Sequence, residues 1–315
     1  MMRKVLFLVV LLSSMVFANE RVLVNIIKNV SIPNVQTAID NAKILQKDAN
    51  AQNFTNFLKS WKKVEALYFA GDIDENYADT PRYIDIFNNL KEDLGSQMKR
   101  VVESKDDAKV ALFKNSFKTI NALEYVLFND KDISKREKEL NVVILDSIIS
   151  HLENIKKVYE TYLAAPTKDE KWENSLVINT LIASSYRLKE WRIGNSSGNA
   201  GKFKNDPKNE RAEYFLSQNS FEAIDAILEA HKQIVEKNKY YDFASYAMDK
   251  GASIELLMVI EKIKETQEAL KKLKKDDFVN ASALFNSAKD LHNAYYLSLI
   301  GQLSVTGKIL DADGD

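Results

Sequence analysis

The chain has 315 residues, 45% of them hydrophobic and 28% charged, with 9 Gly, 4 Pro and no cysteine. Sparse glycine and proline suit long helices and argue against a β-sandwich or a disordered polymer, and the length is enough to bury two cores. With 44 basic against 45 acidic residues no global field favours nucleic acid, and the lack of thiols excludes disulfides, thiolate metal sites, a thiol nucleophile and a lipid-modified cysteine.

At the start, Arg3 and Lys4 precede the apolar run Val5 to Leu12 and the small or apolar residues Ser13 to Ala18. This is the pattern of an export signal, with cleavage expected after Ala18. The run is too short to span a bilayer, and no later segment reaches the roughly 20 apolar residues that a spanning helix needs. A soluble mature chain in a bacterial periplasm, or at the cell envelope, is the expectation, with no transmembrane segment.

From Asn34 to Phe69 apolar residues recur at helical spacing (Ala38, Leu45, Phe54, Leu58, Trp61, Val64), with a break near Asn50 to Asn53. Gly71 to Asp74 ends this helix. Helical patterns follow over Tyr83 to Val102, Ala108 to Phe128 and Ser134 to Leu163, the last opening with Ser134 and Glu137 at capping-box spacing. Ala164-Ala165-Pro166-Thr167 is the clearest interior break, because proline disfavours helical backbone in the residue before it. Beyond it, Glu173 to Trp191, Ala212 to Val235, Phe243 to Leu273 and Phe278 to Val305 read as four more helices, with a Gly/Asn/Ser-rich loop at Ile193 to Asn209. The expected fold is all-α: two packed antiparallel four-helix bundles related by a duplication of pattern. Residues 1–18 form the signal peptide, 19–165 the N-terminal bundle and 166–315 the C-terminal bundle.

Glu124 stands among Ile120, Leu123, Leu127 and Phe128 and has to be explained. Such a carboxylate can point outward, pair with a buried base or hydrogen-bond donor such as Arg192, or help hold a cation, since an unpaired buried charge is costly. Asn121, three residues earlier, shares its helical face, so the two can converge on one object. Further carboxylates fall near predicted helix ends: Asp72, Asp74, Asp85, Asp311, Asp313 and Asp315. Hard oxygen ligands of this kind suit Ca²⁺, Mg²⁺, Mn²⁺ or iron, and the competing reading is caps and turns. His151, His231 and His292 lie far apart with no HExxH spacing and read as surface or capping histidines. Gly194-Asn195-Ser196-Ser197-Gly198 matches the nucleophile-elbow string, but no strand precedes it, so it reads as a loop and no catalytic residue is assigned.

Four stretches, taken in order, resemble the imelysin-like proteins, exported bacterial helical proteins that include metallopeptidase candidates and relatives of periplasmic iron-uptake components. They are Trp61-Lys62-Lys63-Val64-Glu65 running into Phe69 to Asp74; Asn121 to Tyr125; Trp191-Arg192-Ile193-Gly194 with the following loop and Ser217 to Ser220; and Asp311 to Asp315. The family's Gly-x-His-x-x-Glu signature falls here on Thr119, Asn121 and Glu124, so only the glutamate is retained. An amide oxygen is a poorer transition-metal ligand than imidazole, and it cannot act as a general base near neutral pH.

The resemblance, taken with Asn121 in place of the signature histidine, implies a non-catalytic envelope protein that binds a metal or small ligand at the junction of the two bundles, in connection with iron acquisition. Iron or another divalent ion is the metal in view, and a second envelope protein is a candidate partner. A metallopeptidase with an altered site and a purely structural or protein-binding module are the competing readings. The expected ligand-binding residues are Trp61, Glu65, Asn121, Glu190 and Arg192, with Glu124, Asp72 and Asp74 as metal ligands, placed at the cleft between bundles where ligands commonly sit.

Overall fold

The computed structural model describes residues 21–87, 92–303 and 305; the export signal expected at 1–18 and the acidic end carrying Asp311, Asp313 and Asp315 lie outside them. Every regular element among the described residues is helical. Helix α1 (Val22–Ile26) runs through a π-helical stretch (Ile27–Ser31) into α2 (Ile32–Lys47). The wide turn lies just ahead of Pro33, which has no N–H to give and whose ring crowds a carbonyl one turn back. α3 (Ala51–Ala66) starts at Asn50, whose side chain accepts the Asn53 N–H. The pattern from Asn34 to Phe69 is therefore two helices folded back on each other, divided at Asp48 to Asn50, beside the break expected near Asn50 to Asn53.

The expected helix from Tyr83 to Val102 is also divided. α4 (Thr80–Ile84) ends where the backbone turns extended at Asp85, and α5 (Leu94–Glu103) restarts at Asp93, which accepts the Ser96 N–H. Likewise Ala108 to Phe128 resolves into a single turn at Ala108–Ala111, a 3-10 turn at Asn115–Lys118, and α6 (Ile120–Phe128) entered from Thr119. α7 (Lys135–Ala164) opens with the expected Ser134/Glu137 capping box. It packs along α2, α2 packs along α3, and Phe54 of α3 meets Phe128 of α6 edge to face at 5.0 Å.

In the second half, α8 (Glu170–Arg187) does not stop at Trp191. It continues as a π segment (Leu188–Gly194) and one α turn (Asn195–Ser197), ending at Gly198 in the left-handed region, φ +69°. Gly at this position carries no Cβ penalty, which is why the helix ends there and not at the aromatic residue. α9 (Ser220–Val235) follows, then α10 (Phe243–Asp249) and α11 (Ser253–Lys271), which are separated at Gly251, φ +77°. α12 (Ser282–Asn293) closes the set and runs on as a π segment (Ala294–Leu299). α9 lies against both α3 and α11, and α12 packs on α8 and α11, so the two halves meet along α3 and α9. α1 also crosses to the second half, where Arg21 pairs with Glu173 at 2.7 Å and Asn25 Nδ2 donates to the Tyr241 carbonyl. The buried apolar side chains form one continuous cluster from Val22 to Leu303.

Two histidines differ from expectation. His231 is fully buried between Tyr295 Oη (3.1 Å) and Ser184 Oγ (2.9 Å), and His292 is buried against Ser185 Oγ (3.0 Å). Their partners lie on helices distant in sequence, which local pattern does not reveal. Burial pulls the two imidazoles down, to about 3 and about 4, so both are neutral core groups.

A Cβ at Gly198 would fall 2.7 Å from Pro207 N and 2.9 Å from the Asp206 carbonyl carbon, in addition to its positive φ. Gly198→Ala is expected to lower unfolding free energy by about 1–3 kcal/mol in urea denaturation. Gly201→Ala, where a Cβ meets nothing within 4 Å, is the matched control and should change stability by less than about 0.5 kcal/mol.

Candidate functional site

The inner face of α3 carries the centre of the site. Trp61, Lys62 and Glu65 fall at i, i+1 and i+4, so a helix whose buried side chains include Phe54, Phe57, Leu58 and Val64 brings a cation and a carboxylate inward together. Lys62 has no exposed surface, and its ammonium lies 2.7 Å from Glu65 Oε2, 2.7 Å from Asp85 Oδ2 and 2.5 Å from Glu213 Oε1. Three donors and three acceptors match, which is what allows a lysine to be buried at all. Asp85, on the extended segment after α4, also accepts from Trp61 Nε1 (3.2 Å), Tyr214 Oη (2.7 Å) and the Phe87 N–H (3.0 Å). Arg192, turned inward from the π segment after α8, donates to Glu65 Oε1 at 2.7 Å. Its Nε lies 3.0 Å from Glu213 Oε2, but the approach is too bent for a hydrogen bond and leaves both buried atoms without one.

The charges sort themselves by these partners. Burial pushes Asp85 and Glu65 up, but Lys62 beside Asp85, and Arg192 with Lys62 beside Glu65, outweigh it and hold both below the ordinary carboxylate range. Glu213 goes the other way, to about 7, because burial, with Asp85 and Glu65 adding to it, exceeds the pull of Arg192 and Lys62. Lys62 and Arg192 are themselves raised, since the surrounding carboxylates overcome the burial that would lower them. Burial, then Asp85 and Glu213, push the Tyr214 phenol far up, so it stays protonated and donates.

Beside this cluster opens a cavity of about 370 Å³ whose walls include Glu65, Asp85, Arg187, Trp191 and Arg192, with Asp72 among the lining residues. The cluster itself draws Trp61, Lys62, Glu65 and Asp85 from the first half of the chain and Arg192, Glu213 and Tyr214 from the second. Glu65, Asp85 and Glu213 each offer one oxygen within 4.8 Å of the others, the spacing of a hard-cation site. The donor set is right for such an ion, but the Lys62 ammonium stands where it would sit, so a metal there has first to displace the lysine.

Among the residues singled out from sequence, Trp61, Glu65 and Arg192 come together here. Asn121 is next to the site: its Oδ1 accepts the Ile86 N–H at 2.9 Å and so tethers the backbone adjoining Asp85. Glu124 is buried, yet its partner is not Arg192. Oε1 accepts from both the N–H (2.9 Å) and the hydroxyl (2.7 Å) of Ser217, while Arg192 is engaged by Glu65 and Glu213. Asn121 and Glu124 therefore do not converge on one object. Glu190 pairs with Lys189 at 2.8 Å and lies two residues from Arg192, on another side of the helical segment. Asp74 accepts the Asn76 N–H as a cap, and Asp72 is exposed at the cavity, so among the described residues Glu124, Asp72 and Asp74 do not form a ligand group. Sequence reasoning missed Lys62, Glu213 and Tyr214. For Lys62, its position three residues before Glu65 was the one available signal.

The sequence profile of the imelysin family matches residues 31–305. In fold, the chain is similar to an imelysin-like protein from Psychrobacter arcticum 273-4, with a TM-score of 0.74 at 13% identity over 91% of this chain and 96% of that one. It is also similar to a putative iron-regulated protein A precursor from Parabacteroides distasonis ATCC 8503, with a TM-score of 0.64 at 10% identity over 89% and 94%. No curated protein matches it in sequence.

Two measurements probe the buried charges. Lys62→Met removes the cation that three carboxylates share and is expected to cost about 3–5 kcal/mol in chemical denaturation. With the ammonium gone, millimolar Mn²⁺ or Ca²⁺ should recover part of that loss as a rise in melting temperature. Burial also pushes Glu124 up to about 7, against the two Ser217 hydrogen bonds and with the Glu213 and Asp276 carboxylates adding. A carboxyl that keeps its proton to a higher pH when folded binds more protons folded than unfolded. Its contribution is thus complete below about pH 4 and lost as pH rises through 7, amounting to about 3 kcal/mol. Glu124→Gln should remove about half of the slope between pH 5 and 8, leaving the comparable part due to Glu213, and an unchanged slope would refute the assignment.

Proposed function

This chain belongs to the imelysin family, and we propose that it serves as an exported, non-catalytic envelope protein that holds a small ligand or a chelated metal at the seam between its two halves. The observation that carries this reading is the seam cavity itself, walled by Glu65, Asp85, Arg187, Trp191 and Arg192 from both sides of the chain. Clefts between packed units are where ligands are usually bound. We take residues 19–165 and 166–315 as two units, with α2, α3, α6 and α7 as the four-helix set of the first and α8, α9, α11 and α12 as that of the second. Glu65, Asp85 and Arg192 then form the wall on the ligand side, with Trp61 and Lys62 buried behind it.

The occupied centre favours a ligand over a bare ion. An ammonium already 2.5–2.7 Å from all three carboxylates fills the cation position, and a divalent ion beside it meets like charge. The similarity in fold to a putative iron-regulated protein A precursor supports a connection with iron acquisition and agrees with the export pattern of Arg3 to Ala18. No helix among the described residues is long and apolar enough to cross a membrane. A peptidase reading gains no support from the site, because Asn121 offers no base and its carbonyl oxygen is engaged by the Ile86 N–H.

Native mass spectrometry of the chain isolated from its own cell envelope, with melting curves in iron, manganese, calcium and zinc salts and in ferric citrate, tests the proposal. A non-covalent added mass, or a melting-temperature rise with the chelate that exceeds that with the bare ions, is expected. Neither an added mass nor any shift would overturn it, and chelator-sensitive cleavage of unfolded substrates would replace it with the peptidase reading.

A further inference from the structure

We propose that the seam cavity takes a small organic carboxylate, anchored by Arg187. This rests on the seam being a ligand site and adds the chemical class of the ligand. Three arginines line the cavity, and two of them are committed: Arg192 to Glu65 and Glu213, and Arg82 to Asp79 at 3.2 Å. Arg187 is different. It is half-buried at the end of α8, and among the described residues it makes neither a hydrogen bond nor an ion pair. Removing a guanidinium from water without a partner is unfavourable, and burial correspondingly lowers its proton affinity, offset only in part by Glu65. Its planar fork of donors suits a carboxylate, which it can grip through two parallel hydrogen bonds.

The surroundings narrow the class. Leu176, Asn179, Thr180, Ala183 and Arg187 recur at helical spacing along one stripe of α8, and all line the cavity, so the cation stands at one end of a mixed apolar and polar floor. Asp85 and Glu65 stand on the wall, and Asp72 and Asp79 also face the space. These carboxylates disfavour a multiply charged anion such as phosphate and favour one carboxylate attached to an uncharged or cationic remainder. At about 370 Å³ the cavity is at the small end of the ligand-site range, which fits a molecule of metabolite size.

Isothermal titration of the full chain with lactate, alanine and lysine, and with inorganic phosphate, at low ionic strength tests this. At least one carboxylate should bind, at least tenfold more tightly than phosphate. Arg187→Gln should lose at least tenfold of that affinity and Arg187→Lys less, with both variants melting near wild type in the absence of ligand. Equal affinity in Arg187→Gln, phosphate binding as tight as the carboxylates, or no carboxylate binding to wild type would each overturn the proposal. If no carboxylate binds while ferric citrate or a metal salt still raises the melting temperature of wild type and Arg187→Gln alike, only the carboxylate anchor falls and the seam reading stands. If Arg187→Gln does not fold, the Arg187→Lys titration decides: unchanged affinities for both carboxylate and phosphate would count against a geometric anchor.

Discussion

The ammonium of Lys62, with oxygens of Glu65, Asp85 and Glu213 at 2.5–2.7 Å, is the constraint on which the seam depends. None of its partners is close in the chain except Glu65, one turn away; Asp85 follows α4 and Glu213 precedes α9. The group therefore fixes how α3, the extended segment after α4 and the approach to α9 stand relative to one another, and Arg192 adds the π segment after α8. Apolar contact between α3 and α9 is not directional in itself, whereas a buried cation with three matched acceptors tolerates one arrangement. The net balance is close: three carboxylates face Lys62 and Arg192, and Glu213, held up to about 7 by burial, is the one that can give up its charge.

This also explains why carboxylate spacing and metal occupancy point in different directions here. Three oxygens within 4.8 Å of one another would suit a hard cation, but the protein supplies its own. An internal ammonium is tethered and cannot be lost by dilution, so the cluster is held together whether or not any ligand is present. The neighbouring cavity is left to select its guest by the groups that remain uncommitted.

Much of the fold was legible in the residues. Low glycine and proline and the 3.6-residue recurrence of large apolar side chains gave helices throughout, and the capping boundary at Ser134 and the break at Pro166 are where they were expected. Boundaries set by backbone conformation were less visible. The extended Asp85 interrupts a periodic pattern that carries on beyond it, and the helix after Arg187 runs through Trp191 until Gly198 stops it. In the site, the burial of Glu124 could be inferred because its helical neighbours are apolar. Its partner Ser217 could not, being 93 residues away with no periodicity to relate them. Glu213 is 151 residues from Lys62, and the same limit applies. Local spacing reports which face a side chain occupies, and only the packing of distant elements decides what it meets there.

The amide of Asn121 fits the same logic. An amide is neutral at every pH of interest and carries acceptor and donor on one group, so it can satisfy a backbone N–H permanently without becoming charged. Asn121 does this for Ile86, beside the Asp85 that Lys62 requires. An imidazole at that position would bring a titrating group next to a cluster whose charges are already matched, and as a cation it would compete with Lys62 for Asp85. The amide and the buried lysine are therefore mutually consistent: where the cation is part of the chain, the residue beside it serves best as a fixed tether, and a ligand-coordinating imidazole would work against the balance that holds the seam.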